Sequence, residues 1–96
     1  MGNGLKIKFS DASLKFLDLI TEKEKGRVKE KIKLLAKHIS EFNILPYKEM
    51  DIKKLSGVWD GFLRLRVGKI RIIFKYFNID NELMIYGIDF RGNIYK

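Results

Sequence analysis

No cysteine occurs in the 96 residues, and glutamine is missing as well; histidine, proline and tryptophan occur once each. The first absence excludes disulfides, a thiolate nucleophile and cysteine-ligated zinc. No apolar run approaches the ~20 residues that a membrane-spanning helix needs, and the opening Met-Gly-Asn-Gly-Leu-Lys does not read as a signal peptide. Met-Gly-Asn meets the start of a myristoylation pattern, but residue 6 is lysine where serine or threonine is required. Asp51, Asp60, Asp80 and Asp89 show no ligand spacing, so neither a metal nor another cofactor is expected. The composition, poor in glutamine and rich in lysine and isoleucine, leans toward that of thermophile proteins.

What is abundant is positive charge. Twenty lysines and arginines stand against 12 acidic residues, a net charge of +8. Such a balance favours an acidic partner: nucleic acid, an acidic protein or an anionic surface. With 46% apolar and 33% charged residues the chain should fold as one globular domain spanning 1–96. The basic residues are not evenly mixed. Fifteen are lysines and five arginines, yet between Leu55 and Tyr95 arginine dominates, with Arg64, Arg66, Arg71 and Arg91 against Lys69 and Lys75. Lysine suffices for solubility, whereas a planar guanidinium grips phosphate bidentately.

The stretch Gly61 to Phe74 reads as two strands. Leu63, Leu65 and Val67 alternate with Arg64 and Arg66; Ile70, Ile72 and Phe74 alternate with Arg71 and Ile73. Gly68-Lys69 has the glycine-first pattern of a type II′ turn, which pairs Val67 with Ile70, Arg66 with Arg71 and Leu65 with Ile72. Two arginines directly opposite each other repel, and an anion held between them removes the repulsion. The bland alternative is a solvated strand face that happens to carry arginines.

Leu5–Phe9 alternates and predicts a short strand. Ser10-Asp11 form a helix N-cap, after which Leu14, Leu17 and Ile20 recur on one face with Phe16 beside them. Thr21-Glu22-Lys23-Glu24 is a capping box, and the helix it opens carries the stripe Val28, Ile32, Leu35, Ala36 and Ile39. Lys23, Lys29, Lys33 and Lys37 occupy the other side, a face that is ordinarily only solvated. His38 lies off the stripe and reads as an exposed structural histidine. Pro46 stops helical continuation, making Phe42–Lys54 a connecting segment, and Trp59 is expected as a core anchor. Asn78-Ile79-Asp80-Asn81 is a turn, and in the last strand Gly87 marks a bulge or close approach. The expected fold is α+β in the order β-α-α-β-β-β, a twisted antiparallel sheet with two N-terminal helices on one face.

Lys54-Leu55-Ser56-Gly57, Arg64-Leu65-Arg66-Val67-Gly68 through Arg71-Ile72-Ile73, and Arg91 with Tyr95 four residues later form an ordered set. In this set the chain resembles the RelE/ParE toxin superfamily of toxin–antitoxin systems, over essentially its whole length. The resemblance implies a type II toxin whose ribonuclease branch cuts messenger RNA in the ribosomal A site, in the cytoplasm, and a cognate acidic antitoxin of the RelB kind. It maps the family's basic strand residues onto Arg64, Arg66 and Arg71 and its terminal pair onto Arg91 and Tyr95. The expected catalytic residues are then Arg64, Arg71, Arg91 and Tyr95, and beside them Lys53, Lys54, Arg66 and Lys69 are expected to contact RNA. Two departures are visible: Arg64 stands where some relatives have lysine, and Phe90 where many have histidine. Metal-free cleavage by the 2′-hydroxyl needs a base, an acid and positive charge around the phosphorane. Arginine supplies the charge but is a poor base. Tyr95 is then the best remaining base, with Lys53 or Lys54 as a donor to the leaving oxygen. A gyrase-poisoning toxin on the same fold and a non-enzymatic basic binding module are the alternatives.

Overall fold

The computed structural model describes residues 4–90. Strand β1 (Lys6–Phe9) leads into helices α1 (Asp11–Leu19) and α2 (Glu22–Phe42), followed by a short strand β2 (Lys53–Lys54), then β3 (Leu63–Val67), β4 (Ile70–Phe77) and β5 (Glu82–Phe90). The five strands form one sheet in the order β1-β5-β4-β3-β2. Helices on one face of a twisted sheet are the α+β arrangement expected. Two features refine it. Lys53-Lys54 adds a fifth strand on the edge beside β3, and β1 joins β5 in parallel, so the sheet is mixed. The parallel pairing follows from the two helices, which carry the chain back across the sheet before its last strand is laid down.

Both helix starts are set by their caps. The Ser10 hydroxyl accepts from the Ser13 N–H, and Thr21 with Glu24 forms the reciprocal capping box. Helix α2 buries Val28, Ile32, Leu35 and Ile39 of the predicted stripe, and Ala36, its fifth member, is half-buried. It stops at Asn43, in the left-handed conformation, whose N–H donates to the Ile39 carbonyl at 2.8 Å. The chain therefore leaves the helix three residues before Pro46. In α1 the buried face is Ser13, Phe16 and Leu17, while Leu14 is 48% exposed, contrary to expectation. The reason lies in β5. Ile73 pairs with Gly87 but Phe74 with Ile85, so Tyr86 is the extra residue of a β-bulge beside Gly87. The carbonyls of Ile85 and Tyr86 are met by α1: the Ser10 N–H donates to Ile85 at 2.9 Å and the Ser10 hydroxyl to Tyr86 at 2.7 Å. The fully buried Ser13 hydroxyl lies 3.4 Å from the Ile85 carbonyl. Polar satisfaction, not the apolar stripe, rotates this helix.

The core lies between the helices and one sheet face. Leu63, Leu65, Val67, Ile70, Ile72, Phe74, Leu83, Ile85 and Ile88 meet the α2 stripe, Phe16 and Leu17 there. Gly68 has φ +59 and Lys69 is not among the positive-φ residues, as a type II′ turn requires. Trp59 is not part of this core. It ends a 3-10 turn (Gly57–Trp59), half-buried, with its ring against Phe62. Phe74, 0% exposed at the centre of the sheet, should lose about 3–5 kcal/mol of stability on Phe74→Ala. Val58→Ala, at a residue 95% exposed, should change stability by no more than about 0.5 kcal/mol. Chemical denaturation of the two variants checks the contrast.

Candidate nucleic-acid interface

Opposite the core, the same strand alternation presents a different set of side chains. The β3–β4 register pairs Arg66 with Arg71, Leu65 with Ile72 and Val67 with Ile70, as the turn predicts. Arg64 pairs with Ile73 on one side and with Lys53 of β2 on the other. Since directly paired residues share a face, Lys53, Arg64, Arg66 and Arg71 are gathered on the side away from the helices. This face is not a plain solvated surface. Arg64 and Arg71 are each only 6% exposed, Ile73 is buried, and Arg66 is exposed.

Arg64 is held by the loop between α2 and β2. One guanidinium nitrogen, Nη2, donates to the Asp51 carbonyl at 3.3 Å and stands 3.8 Å from the Asp51 carboxylate. Its Nε is buried with no hydrogen-bond partner among the described residues. An orphaned buried donor costs on the order of 1–3 kcal/mol, which a fold carries only where the group is needed or where something completes it. Arg71 is flanked by Arg66 on β3 and by Asp89 on β5. A carboxylate thus lies in the arginine row, which the strand pattern of β3 and β4 alone did not reveal. Asp89 turns one oxygen back on its own strand, Oδ1 accepting from the Phe90 N–H at 2.7 Å.

The other predicted residues divide. Lys69 is exposed at the hairpin tip. Lys54 pairs with Leu63 and so faces the helix side, its ammonium 5.8 Å from the centre of the Tyr47 ring. It is separated from Lys53 by the pleat. Arg91 and Tyr95 lie outside the described residues. His38 is half-buried with its ring against Phe42, away from this face. Among the described residues no group of three histidines, acids or cysteines could hold a metal ion.

Three features were not visible in the sequence. Trp59, Phe62 and Tyr86 form a chain of edge-to-face rings, with centroids 5.2 and 4.8 Å apart, and the Lys75 ammonium sits 4.4 Å from the Phe62 centroid. The bulge at Tyr86 makes this contact, and only Gly87 hinted at it. Asp51 reaches Arg64 across a loop that carries no periodic signal. Arg27, alone among lysines in the sequence, folds against Gly68 of the hairpin turn. Chemically, the face offers fixed guanidinium donors for a phosphodiester, half-buried rings at one end, and no histidine among the described residues.

No protein-family model and no curated protein matches the chain. Solved structures do. A chain of the archaeal RelE–RelB complex from Pyrococcus horikoshii OT3 is similar at TM-score 0.70 with 22% identity, over 92% of this chain and 96% of that one. A chain of the RelB–RelE antitoxin–toxin complex from Methanococcus jannaschii gives 0.65 and 24%, over 93% and 95%. YafQ from E. coli strain BL21(DE3) gives 0.66 and 19%, over 95% and 98%. The fold is that of the RelE-type toxins.

The Asp51 side chain is half exposed and its carboxylate stands 3.8 Å from Arg64, so the pair should contribute no more than about 1 kcal/mol. Asp51→Asn retains a residue that tolerates the φ of +52 at this position, and should lower the melting temperature by only a few degrees. Circular dichroism on heating measures this; a far larger loss would mean that the carboxylate alone holds the buried guanidinium.

Proposed function

We propose that this chain, with the fold of the RelE-type toxins, is the toxin of a type II toxin–antitoxin pair and acts as a ribosome-dependent messenger-RNA endonuclease. The observation that carries the reading is the burial of Arg64 and Arg71, each 6% exposed, on the sheet face that the helices leave uncovered. Desolvating two guanidiniums is costly, and a fold that needed only solubility would leave them in water. A phosphodiester laid on that face meets Arg71 and Arg66 together, with Arg64 and Lys53 one strand-pair further along.

In this mechanism the 2′-hydroxyl attacks the adjacent phosphorus, the bond to the leaving 5′-oxygen breaks, and a 2′,3′-cyclic phosphate forms. No metal is required. Fixed donors from Arg64 and Arg71 stabilise the charge that grows on the non-bridging oxygens, the largest single contribution to such a step. Arg91 is assigned to the same charge and Tyr95 to the base that takes the 2′-proton; both assignments rest on the family resemblance. Lys53 shares the arginine face and is better placed than Lys54 to protonate the leaving oxygen, because Lys54 points to the other side of the sheet.

The partner is an acidic antitoxin segment. The similar chains from Pyrococcus horikoshii OT3 and Methanococcus jannaschii each come from a RelE–RelB complex, and a net charge of +8 suits an acidic mate. No described helix is long and apolar enough to cross a membrane.

Inducible expression followed by mapping of messenger-RNA 5′ ends tests the proposal. The wild-type chain should arrest growth and leave cleavages in register with A-site codons. Arg71→Ala should reduce cleavage by about two to three orders of magnitude, and the exposed Arg66→Ala should weaken it without unfolding the protein. Intact transcripts accompanied by DNA damage would transfer the protein to the gyrase-poison reading. Absence of any toxicity would leave a basic binding module.

A further inference from the structure

Three of the five arginines, Arg64, Arg66 and Arg71, lie in the hairpin, whereas Arg27 is far from it in sequence. Folding removes that distance. The first turns of α2 lie beside the β3–β4 turn, and the Arg27 guanidinium approaches Gly68 so closely that a Cβ built there would stand 3.3 Å from its Nη2. Between the helix and the hairpin tip runs an open cleft of about 580 Å³ lined by Lys23, Arg27, Lys31, Arg66 and Gly68. It adjoins a second hollow of about 310 Å³ where Arg27, Gly68 and Lys69 meet.

The charge in this cleft is only partly cancelled. Two carboxylates, Glu22 and Glu30, stand on its walls against four cations, Lys23, Arg27, Lys31 and Arg66. Glu22 lies 3.6 Å from Lys25, and Glu24, in the adjoining hollow, accepts from the Thr21 N–H at 3.2 Å. Neither Arg27, Arg66 nor Lys69 has a carboxylate within ion-pair distance among the described residues. Arg66 belongs to both surfaces: its register places it beside Arg71 on the arginine face, and it also lines the cleft. It can do so because β2 covers β3 only at Leu63 and Arg64, leaving the outer edge of β3 open from Leu65 onward.

We propose that the cleft between α2 and the hairpin tip is a second phosphate-binding site, which takes the backbone of the same RNA strand after it leaves the arginine face. The proposal rests on the RNA-cleaving reading above and extends it: the strand passes from Arg71 to Arg66, rounds the tip at Lys69, and enters the cleft against Arg27 and Lys23. Gly68 is needed there twice. Its positive φ makes the turn, and its missing side chain leaves room for Arg27 to close on the turn. Phosphate contacts of this kind add affinity and register but no base preference.

Fluorescence anisotropy with fully 2′-O-methylated, uncleavable RNA oligomers of two lengths tests it, using the full chain over a series of salt concentrations. A four-nucleotide oligomer is too short to span both surfaces, whereas a twelve-nucleotide one reaches the cleft. Arg27→Gln should weaken the longer oligomer by about fivefold to tenfold and reduce its salt slope by about one, leaving the shorter one unchanged. Lys23→Gln, at an exposed helix position, should act in the same direction and guards against a folding defect in Arg27→Gln. If both variants bind the longer oligomer as the wild type does while Arg71→Ala is weakened, the cleft proposal fails and the arginine face stands. If Arg71→Ala binds normally and Arg27→Gln does not, the cleft stands and the arginine face loses its role. A wild-type chain that binds neither oligomer overturns both. Variants that keep RNA affinity but lose a poly-glutamate peptide would assign the cleft to an acidic protein segment and overturn the RNA assignment.

Discussion

The pairing of β3 with β4 is the constraint from which the rest of this structure follows. Because side chains alternate with a period of two, a slip of one residue would send every side chain of the slipped strand to the opposite face. A slip of β3 would exchange Leu65 and Val67 for Arg64 and Arg66 in the helix-covered core, and a slip of β4 would exchange Ile72 and Phe74 for Arg71. Two devices hold the register. The Gly68-Lys69 turn fixes which residues meet, and the apolar row buried against α2 makes any other pairing costly. The same geometry that builds the core therefore builds the arginine face.

Core and candidate site are in this sense two sides of one object, and their energetics are linked. A sheet face buried by apolar packing is stable without help, so its reverse can carry groups that are unfavourable on their own. The Arg64 Nε, which meets no partner among the described residues, and the pairing of Arg66 directly opposite Arg71 are such groups. Asp89 and Asp51 offset part of the positive charge from the side, without removing the guanidinium donors from the face. The arrangement favours a ligand with distributed negative charge over one small counter-ion. Breaks in regular structure act at the other end of the same face, where the bulge at Tyr86 both supplies carbonyls for α1 and turns a ring toward Phe62.

Much of the architecture was legible from local patterns because those patterns are physically local. The Thr21–Glu24 capping box, the α2 stripe, the glycine-first turn and the Asn78–Asn81 turn each depend on neighbours within a few residues, and all four are found as read. The misreadings have a common origin. Leu14 fits an apolar stripe, yet α1 is rotated by carbonyls that β5 presents from more than 70 residues away. Trp59 has the size of a core residue, yet the core was already filled by the sheet and α2, and its ring packs on Phe62 instead. Lys53 and Lys54 are adjacent in sequence and alike in chemistry, and only the two-residue strand they form puts them on opposite faces.

The sequence by itself determined the class of fold, the register of the central hairpin and the presence of three arginines on one strand face, since alternation and turn chemistry are written within 14 consecutive residues. Tertiary structure alone decided how buried those arginines are, that Asp51 and Asp89 stand beside them, that β1 closes the sheet in parallel, and that Arg27 comes to the hairpin tip. Each of these depends on contacts between segments far apart in the chain, whose meeting is set by the packing of whole elements. No spacing rule within a single segment encodes it.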